Sequence, residues 1–459
     1  MSDQLTLVNV DAPWRRALLL VPAALALWGV WACGRWFVGD TLANYPPNEQ
    51  FARAAERLAP DDPQAHFTVG VFARRSFEPS ALDETAREFA RATALSPHDY
   101  RLWMELGRAR EQAGDGAGGE LALRRARELA PNYVMPRWYL GNLLLRAGRD
   151  EEALGELRAA AESDTSLRGP IFASVWAIFG GDVGRVTAAI AGSPSVRGEL
   201  IVYLIGQKRT DDALKLWATL GANDKRAQRA AGDALVEALL AAKRINAALA
   251  VFREADADGE RVSAGQVTNG GFEDDAGAAG RRVFDWSVTP VAQAQTGVDP
   301  NVRHAGARSL RVSFNAPSSI QYANVTQLVA VEPGARYRLE FFVRTESLKS
   351  VATLVVDVAV ARQGGAAIAT SAPAPAGTSD WQQVALEFNA PQDADGVVLL
   401  IRRQPCKDEA CPIFGKIWYD DFTLQRAGAG QQQPQQRAAA RAAAAAGAAG
   451  GGEGGRPAR

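Results

Sequence analysis

A tripeptide that ends in proline recurs along the chain and constrains the fold of its first half more than any other feature. It reads LAP at 58–60, LSP at 95–97 and LAP at 129–131, at intervals of 37 and 34 residues. A period near 34 residues with a proline closing each unit is typical of stacked helical hairpins. One hairpin cannot bury its apolar face alone, so neighbouring hairpins must stack on one another. The interval therefore predicts an array of helix pairs.

The residues between these prolines repeat as well. Gly107 and Gly141 stand at equivalent places, where a small residue lets two antiparallel helices approach closely. The residues that mark one complete unit are Trp103, Leu106, Gly107, Leu123, Ala126 and Pro131. This pattern resembles the tetratricopeptide repeat, and the resemblance implies an α-solenoid whose concave face binds a protein partner. The alternative is that the array is only a spacer.

Three further segments, GRDEEAL (148–154), KRTDDAL (208–214) and KRINAAL (243–249), look like one recurring junction, in which a short turn leads into a second helix. We therefore expect five or six helix pairs over 48–258.

An uncharged segment near the N-terminus predicts a membrane anchor. Residues 17–34 read ALLLVPAALALWGVWACG, close to the lower limit for a helix that crosses roughly 30 Å of hydrocarbon. Arg15 and Arg16 precede this segment and Arg35 follows it, which places residues 1–16 in the cytoplasm. We expect a single-pass helix over 17–37 in an inner, cytoplasmic membrane, with the remaining mass in the periplasm or outside.

Two alternatives to the uncleaved anchor stay open. A cleaved signal peptide would use the small residues of TLA at 41–43, although these lie far from the apolar segment. A lipoprotein would use Cys33, but the bulky Trp31 stands where small residues are usual.

Charge and residue counts exclude several classes of function. The formal net charge is −1, from 51 basic and 52 acidic residues, and this balance gives no electrostatic case for a nucleic-acid partner. The three histidines are far apart in sequence, and no Gly-rich phosphate loop or Ser-His-Asp order is present. We therefore expect a binding protein and not an enzyme. Cys406 and Cys411 favour a disulfide that closes a short loop in an oxidising compartment.

The composition changes after about residue 265. Segments with alternating apolar residues now stand between turn residues, the pattern of a β-sandwich. Pro333 and Gly334 suit a type II turn between two antiparallel strands. The segment VVLLI (397–401) is apolar on both faces, as a central strand would be. The residues expected on one face of three strands are Leu310, Val312 and Phe314, then Tyr337, Leu339, Phe341 and Val343, and then Leu354, Val356, Val358 and Val360.

The last of these segments, GKIWYDDFTL (415–424), raises a question about charge. Strict alternation would place Asp420 on one face with Trp418, Phe422 and Leu424. An ionised carboxylate among core residues is unfavourable by several kcal/mol unless something pairs with it. Asp420 therefore needs a partner.

The ordered segments NGGFED, GARSLRV, VEPGARYRLEFFV, DWQQVALEFNAP and IWYDDFTL resemble carbohydrate-binding modules of families 4 and 9 and related galactose-binding-like jelly rolls. The resemblance covers 265–426 and implies a structural calcium ion bound by Glu273 and Asp420, with Asp421 as the neighbour that could replace Asp420. Calcium takes six to eight oxygen ligands, so backbone carbonyls would supply most of the rest. The alternative is that Asp420 accepts backbone N–H groups or pairs with Arg281 or Arg282.

The same resemblance suggests polysaccharide binding. Trp286, Trp381, Trp418 and Tyr419 are aromatic candidates, but the three tryptophans are usually core positions in the family. The expected glycan-binding residues are Tyr322, Gln321, Asn324 and Gln327, on an exposed groove.

The sequence as a whole predicts a multidomain protein of α and all-β parts: a transmembrane helix, a helical array over 48–258 and a jelly-roll sandwich over 265–426. Residues 427–459 are low in complexity and are expected to be disordered. The expected function is a membrane-anchored scaffold of a bacterial-type cell envelope, with a role in envelope or exopolysaccharide assembly. A glycan-binding module displayed on a helical stalk is the alternative.

Overall fold

The computed structural model describes residues 13–76, 79–275, 277–278, 283–317, 319–361, 366–406 and 411–427. Most of the predicted cytoplasmic N-terminus and the predicted disordered tail beyond Ala427 lie outside these residues. The chain divides into two compact units, residues 1–203 and 204–459.

The first helix is longer than the predicted anchor. Helix α1 spans Pro13–Asn44, and its portion Leu20–Asn44 is, within the described part of the chain, the one helix long and apolar enough to cross a membrane. Its last two turns pack within the first unit: Ala43 is fully buried, and Thr68 Oγ1 donates to the Ala43 carbonyl at 2.8 Å. Gly39 lies against Ala59, where an added Cβ would come within 2.7 Å of the Ala59 Cβ. Helix α1 therefore continues directly into the array.

Helical hairpins fill the rest of the first unit, as the repeat pattern predicts. Each Leu of the proline tripeptide is the last residue of a helix, because proline two residues later cannot continue it. The aspartates that follow soon afterwards cap the next helix: Asp62 accepts the Gln64 N–H and Asp99 accepts the Arg101 N–H, both at 2.9 Å. The helices are α2 (Glu49–Leu58), α3 (Pro63–Ala73), α4 (Pro79–Leu95), α5 (Tyr100–Gln112), α6 (Gly116–Leu129), α7 (Val134–Arg146), α8 (Asp150–Ser163), α9 (Arg168–Ile178), α10 (Val183–Ile190) and α11 (Pro194–Gly206).

Close helix contacts occur where the sequence places its small residues. An added Cβ on Gly107 would lie 2.5 Å from Leu123, and one on Gly141 would lie 2.9 Å from Leu157. Gly70 faces Phe89 in the same way, at 2.6 Å. These glycines set the spacing of three successive hairpins.

The second unit begins at Leu204, near the end of α11, and continues with the last hairpins, α12 (Thr210–Ala218), α13 (Ala222–Ala227), α14 (Arg229–Ala241) and α15 (Ile245–Ala255). Helix α15 has no side-chain cap of its own, since its N-cap residue is Arg244. Asp395, from the sandwich, supplies the cap: its carboxylate accepts the Ile245 and Asn246 N–H groups at 3.1 and 2.9 Å. The last hairpin and the sandwich are therefore joined by direct contacts.

The sandwich contains two sheets. The strands are β1 (Gly277–Ala278), β2 (Ser287–Val288), β3 (Ala294–Asp299), β4 (Ser309–Ala316), β5 (Val325–Ala330), β6 (Arg336–Lys349), β7 (Leu354–Val360), β8 (Ala367–Thr370), β9 (Gly377–Asn389), β10 (Gly396–Arg403) and β11 (Ile413–Arg426). The six-stranded sheet has the order β1-β2-β5-β10-β7-β8, and the five-stranded sheet has the order β3-β4-β11-β6-β9. All pairs are antiparallel except β1 with β2.

The core lies between the two sheets and uses the faces that alternation predicts for β4 and β6, with Leu310, Val312, Leu339 and Phe341 all buried. Each fully buried Val or Leu contributes about 1.5–3 kcal/mol relative to exposure. The apolar strand β10 is central, between β5 and β7, as predicted. Gly334 has φ +74° and lies in a turn between β5 and β6. These two strands belong to different sheets, so the turn does not join a pair of hydrogen-bonded strands as predicted.

Candidate ligand face of the β-sandwich

Strand β11 carries a bulge at the two adjacent aspartates. Its register with β6 shifts between Asp420 and Thr423, and Asp421 adopts φ +51°. Before the bulge Ile417 and Tyr419 belong to the core, and after it the core residues are Phe422 and Leu424.

The prediction that Trp418, Asp420, Phe422 and Leu424 share one face was therefore wrong. The extra residue of the bulge changes the face that each later side chain occupies. Trp418 and Asp420 lie instead on the outer face of the five-stranded sheet.

Asp420 is fully buried on that outer face and accepts three backbone N–H groups. Its Oδ2 accepts from His304 at 2.8 Å and Ala305 at 3.3 Å, and its Oδ1 accepts from Asp421 at 2.8 Å. Burial raises the pKa of Asp420 above its usual range and the Asp421 charge adds to this rise, although the N–H groups oppose it. The partner required by the buried carboxylate is thus the backbone. Arg281 and Arg282, the other partners considered, lie outside the described residues.

His304 and Ala305 belong to a loop, residues 304–308, that also contacts two more carboxylates. Glu273 Oε1 accepts the Ala307 N–H at 2.8 Å, and Asp421 Oδ2 lies 2.6 Å from His304 Nδ1. An added Cβ on Gly271 would lie 3.6 Å from Asp421 Oδ1 and 3.8 Å from both Asp420 Oδ1 and the Glu273 Cγ. Three carboxylates therefore border Gly271.

Carboxylate oxygens are suitable ligands for Ca²⁺, which prefers hard oxygen donors. The charge of the ion would also offset the repulsion between the three carboxylates. Backbone N–H groups already face Asp420 and Glu273, however. The three carboxylates also lie too far apart for one oxygen of each to be within 4.8 Å of the other two. The calcium site at Glu273, Asp420 and Asp421 stays a prediction.

A partly exposed aromatic patch lies beside this loop and consists of Phe342, His304 and Trp381. The His304 ring stacks on Phe342 with ring centres 3.6 Å apart and planes 15° apart. Trp381, on the edge strand β9, meets His304 edge-on at 5.8 Å. Phe342 and Trp381 are half-buried. The patch therefore presents aromatic surface to a ligand at the outer face.

Trp418, in contrast, is covered by charged side chains. Lys416 Nζ and the Arg344 guanidinium lie 5.8 and 5.9 Å from its ring centre, and its Nε1 donates to Asp299 at 3.0 Å. Burial raises the pKa of Asp299, but the Trp418 N–H, the Asn301 N–H and the charge of Arg311 outweigh it and lower the pKa overall. No ion pair of Arg344 occurs among the described residues, and its buried Nε has no hydrogen-bond partner there. Arg344 is half-buried and lies on the same outer face of β6 as Phe342.

The structure contradicts the exposed position predicted for Tyr322. Only 2% of Tyr322 is exposed; its hydroxyl and Thr296 Oγ1 are 2.8 Å apart, and its ring meets Phe314 edge-on. Burial raises the pKa of Tyr322 to about 12, although the Thr296 hydroxyl lowers it. Tyr322 faces inward from the segment that precedes β5, so a sugar ring cannot stack on it.

The predicted polar partners of Tyr322 do not form a site together. Gln327 is buried, and its amide accepts from and donates to the backbone of Thr268. Asn324 donates to the Thr289 carbonyl at 2.9 Å, and Gln321 is exposed. Of the four predicted residues, Gln321 alone is exposed.

The other aromatic candidates divide between core and surface. Trp286 stacks on Phe272 in the core, and burial raises the pKa of Tyr419. Trp381 departs from the core position usual in the resembling family, because it lies on the outer face of an edge strand.

Sequence reasoning missed Phe342 and His304. The signal for Phe342 was present, since alternation in RYRLEFFV puts it opposite the apolar set, among Arg338, Glu340 and Arg344. His304 has no such signal, because its position depends on how the 304–308 loop folds onto the sheet.

A disulfide joins Cys406 and Cys411, with Cα atoms 6.3 Å apart, at the end of β10. The buried Arg403 donates to the Cys411 carbonyl at 3.0 Å and to the Ala352 carbonyl at 3.0 Å. The bridge and Arg403 together fix the chain ends on either side of residues 407–410, which lie outside the described residues.

Comparison with known proteins finds one family match. Residues 264–408, less than half of the chain, match the family model described as a carbohydrate binding domain. No curated protein matches the chain.

Several solved structures are similar to parts of the chain. One titled "CBM4 structure and function" is 15% identical and covers 35% of this chain and 99% of its own, with a TM-score of 0.27. A family 16 carbohydrate-binding module is 17% identical, with a TM-score of 0.24, and the match covers 35% of this chain and 98% of the module. A double mutant of MamA is 19% identical, with a TM-score of 0.26, and the match covers 31% of this chain and 82% of MamA.

Proposed function

We propose that this protein is a membrane-anchored adaptor outside the cytoplasm, in which the sandwich binds a carbohydrate polymer and the helical array binds a protein partner. The observation that carries the proposal is the match of residues 264–408 to a carbohydrate binding domain. Binding, and not catalysis, is the role of both parts.

The aromatic patch is the surface proposed to receive the sugar. Sugar rings pack against aromatic faces, and polar groups around the ring supply hydrogen bonds. Phe342 and Trp381 provide the aromatic faces, and the exposed Gln383 is directly opposite Phe342 on β9. The half-buried guanidinium of Arg344, on the same face of β6 as Phe342, carries further N–H donors.

The surface proposed for the protein partner lies between α5 and α7. The Arg108 guanidinium covers the Tyr139 ring at 4.4 Å, and Arg146 pairs with Glu111 across the two helices. Trp138 and Asn142 complete this groove. Aromatic and arginine side chains are the residues most often responsible for affinity at protein interfaces.

The proposed location follows from the anchor and the disulfide. Helix α1 is exposed and apolar, and a disulfide between Cys406 and Cys411 persists in an oxidising compartment. A place in the cell envelope, with a role in envelope or exopolysaccharide assembly, would use both binding surfaces.

Glycan binding is tested with the full-length protein in detergent, on a glycan array and by affinity electrophoresis in gels that contain soluble polysaccharides. Trp381→Ala and Phe342→Ala should each weaken binding at least tenfold, about 1.4 kcal/mol. Val351→Ala is the control, because Val351 is an exposed apolar residue away from the patch. Absence of binding by the wild type, or equal binding by Trp381→Ala, refutes the proposed glycan site.

A second candidate is a glycan-binding module on a helical stalk, which the direct continuation of α1 into the array favours. The two functions differ in whether the array has a partner. Pull-downs from solubilised membranes should capture a protein with the wild type and lose it with Tyr139→Ala. If no protein depends on Tyr139, the stalk is the better description.

We also propose that calcium stabilises the sandwich through Glu273, Asp420 and Asp421. Calcium would neutralise three carboxylates that meet near Gly271. Adding Ca²⁺ to the chelated full-length protein should raise the melting temperature of the wild type but not of Glu273→Gln. Equal melting temperatures with Ca²⁺ and with chelator would leave these groups as acceptors of backbone N–H groups alone.

A further inference from the structure

Three side chains from three consecutive helices meet near the start of the array. They are Glu56 of α2, His66 of α3 and Glu88 of α4, and their ligand atoms all lie within 4.8 Å of one another. The His66 side chain is only 3% exposed, and the two glutamates are 31% and 18% exposed. These three residues form the Glu-His-Glu cluster.

The hydrogen bonds of His66 determine which ring nitrogen is free. Nε2 lies 2.9 Å from the Pro60 carbonyl oxygen, which can only accept, so Nε2 carries the proton. In the neutral ring, Nδ1 then presents a lone pair to Glu88 Oε2, 2.7 Å away. Two lone pairs cannot meet at this distance, so a cation must lie between them, either a proton or a metal ion.

The charges around the cluster favour a divalent ion. Neither Glu56 nor Glu88 has another ion-pair partner among the described residues. A protonated His66 would leave one negative charge uncompensated in a half-buried site. A divalent ion with a neutral imidazole balances both carboxylates.

The distances within the cluster lie on both sides of the ligand separation in a zinc site. Zinc binds imidazole nitrogen and carboxylate oxygen at about 2.0–2.2 Å in a tetrahedron, whose edges are then about 3.4 Å. His66 Nδ1 lies 2.7 Å from Glu88 and 3.9 Å from Glu56, on either side of that value. Zinc binding therefore requires the Glu88 oxygen to move about 0.7 Å away from Nδ1 and the Glu56 oxygen to move about 0.5 Å closer to it.

The outer contacts also match those of a metal ligand. A histidine that binds a metal usually donates its other ring N–H to a carbonyl or carboxylate, which fixes the ring. The Pro60 carbonyl does this for His66.

We propose that Glu56, His66 and Glu88 bind a zinc ion with one further position open to water. The ion ties α2 to the α3–α4 hairpin, directly after the helix that continues from the anchor. This site is independent of the proposed carbohydrate and calcium sites in the second unit.

The test uses the full-length protein without a polyhistidine tag, stripped with chelator and titrated with Zn²⁺ by calorimetry and with Co²⁺ by visible absorption. The wild type should bind one Zn²⁺ per chain and give the strong visible band of tetrahedral Co²⁺. His98→Gln is the matched control, because His98 is exposed, and it should bind as the wild type does. His66→Gln should lose both signals.

A second pair of variants tests zinc binding by the cluster if His66→Gln fails to fold. Glu56→Gln removes the most exposed ligand and should weaken Zn²⁺ binding at least about tenfold, a loss that even outer partners of metal ligands can cause. Glu49→Gln removes a carboxylate from the same helix and should leave binding unchanged. Equal Zn²⁺ uptake by the wild type and Glu56→Gln, or none by the wild type, overturns the proposal and assigns the cluster to a proton.

Discussion

Replacing Asp395 tests whether this residue of the sandwich caps the last helix of the array. Asp395→Ala removes the acceptor for two N–H groups at the start of α15. Loss of a helix cap costs about 0.5–2 kcal/mol, and loss of a negative charge near a helix N-terminus costs about 0.3–1 kcal/mol more. The expected total is about 2 kcal/mol. Asp395→Asn keeps one acceptor oxygen and should lose about half of that.

For a unit of this size, 1 kcal/mol corresponds to roughly 2–4 °C in the melting temperature, so Asp395→Ala should lower it by about 4–8 °C. Tryptophan fluorescence follows the melting, and hydrogen exchange measured by mass spectrometry should show faster exchange at the start of α15. Asp233→Ala is the control: Asp233 is an exposed helix residue whose one ion-pair partner within the described part of the chain is Arg229, at 3.6 Å. A melting temperature within about 1 °C of the control, with unchanged exchange in α15, would refute the assignment of Asp395 as the cap.

Three further predictions concern single groups. Tyr322→Phe leaves Thr296 without its hydroxyl partner and should destabilise the sandwich by about 1 kcal/mol in chemical denaturation, with glycan binding unchanged; weaker glycan binding would contradict the buried position of Tyr322. Folding raises the pKa of Asp420, so its ionisation lowers the free energy of unfolding as the pH rises from 3.8 towards the folded pKa. Without calcium, the melting temperature of Asp420→Asn should therefore fall less over this pH range than that of the wild type. The same pH profile for both proteins would contradict the raised pKa. A reporter fused after Tyr45 should be active outside the cytoplasm, and cytoplasmic activity would reverse the proposed topology.

The core of the sandwich follows from local sequence, but part of the candidate site does not. Alternation places Leu310 and Phe341 correctly, because β4 and this part of β6 are continuous strands whose side chains keep a period of two. The same rule fails at Asp420, because a bulge adds one residue and no local feature of DDF announces it.

The contacts missed from sequence are those between distant segments. The cap of α15 comes from Asp395, 150 residues away from Ile245, and the position of His304 depends on carboxylates more than 110 residues later. In the array, by contrast, the close contacts of Gly107 and Gly141 could be predicted, because each depends on a helix that follows within the same hairpin.

The continuity of α1 has a mechanical consequence. Thr68 and Ala59 hold the last turns of α1 in the first unit, so no flexible joint separates the apolar segment from the first hairpin. If the apolar segment is embedded in lipid, a tilt or a rotation of that segment about its own axis turns the first hairpin by the same angle. The orientation of the apolar segment in the bilayer then determines the orientation of the first hairpin relative to the membrane surface.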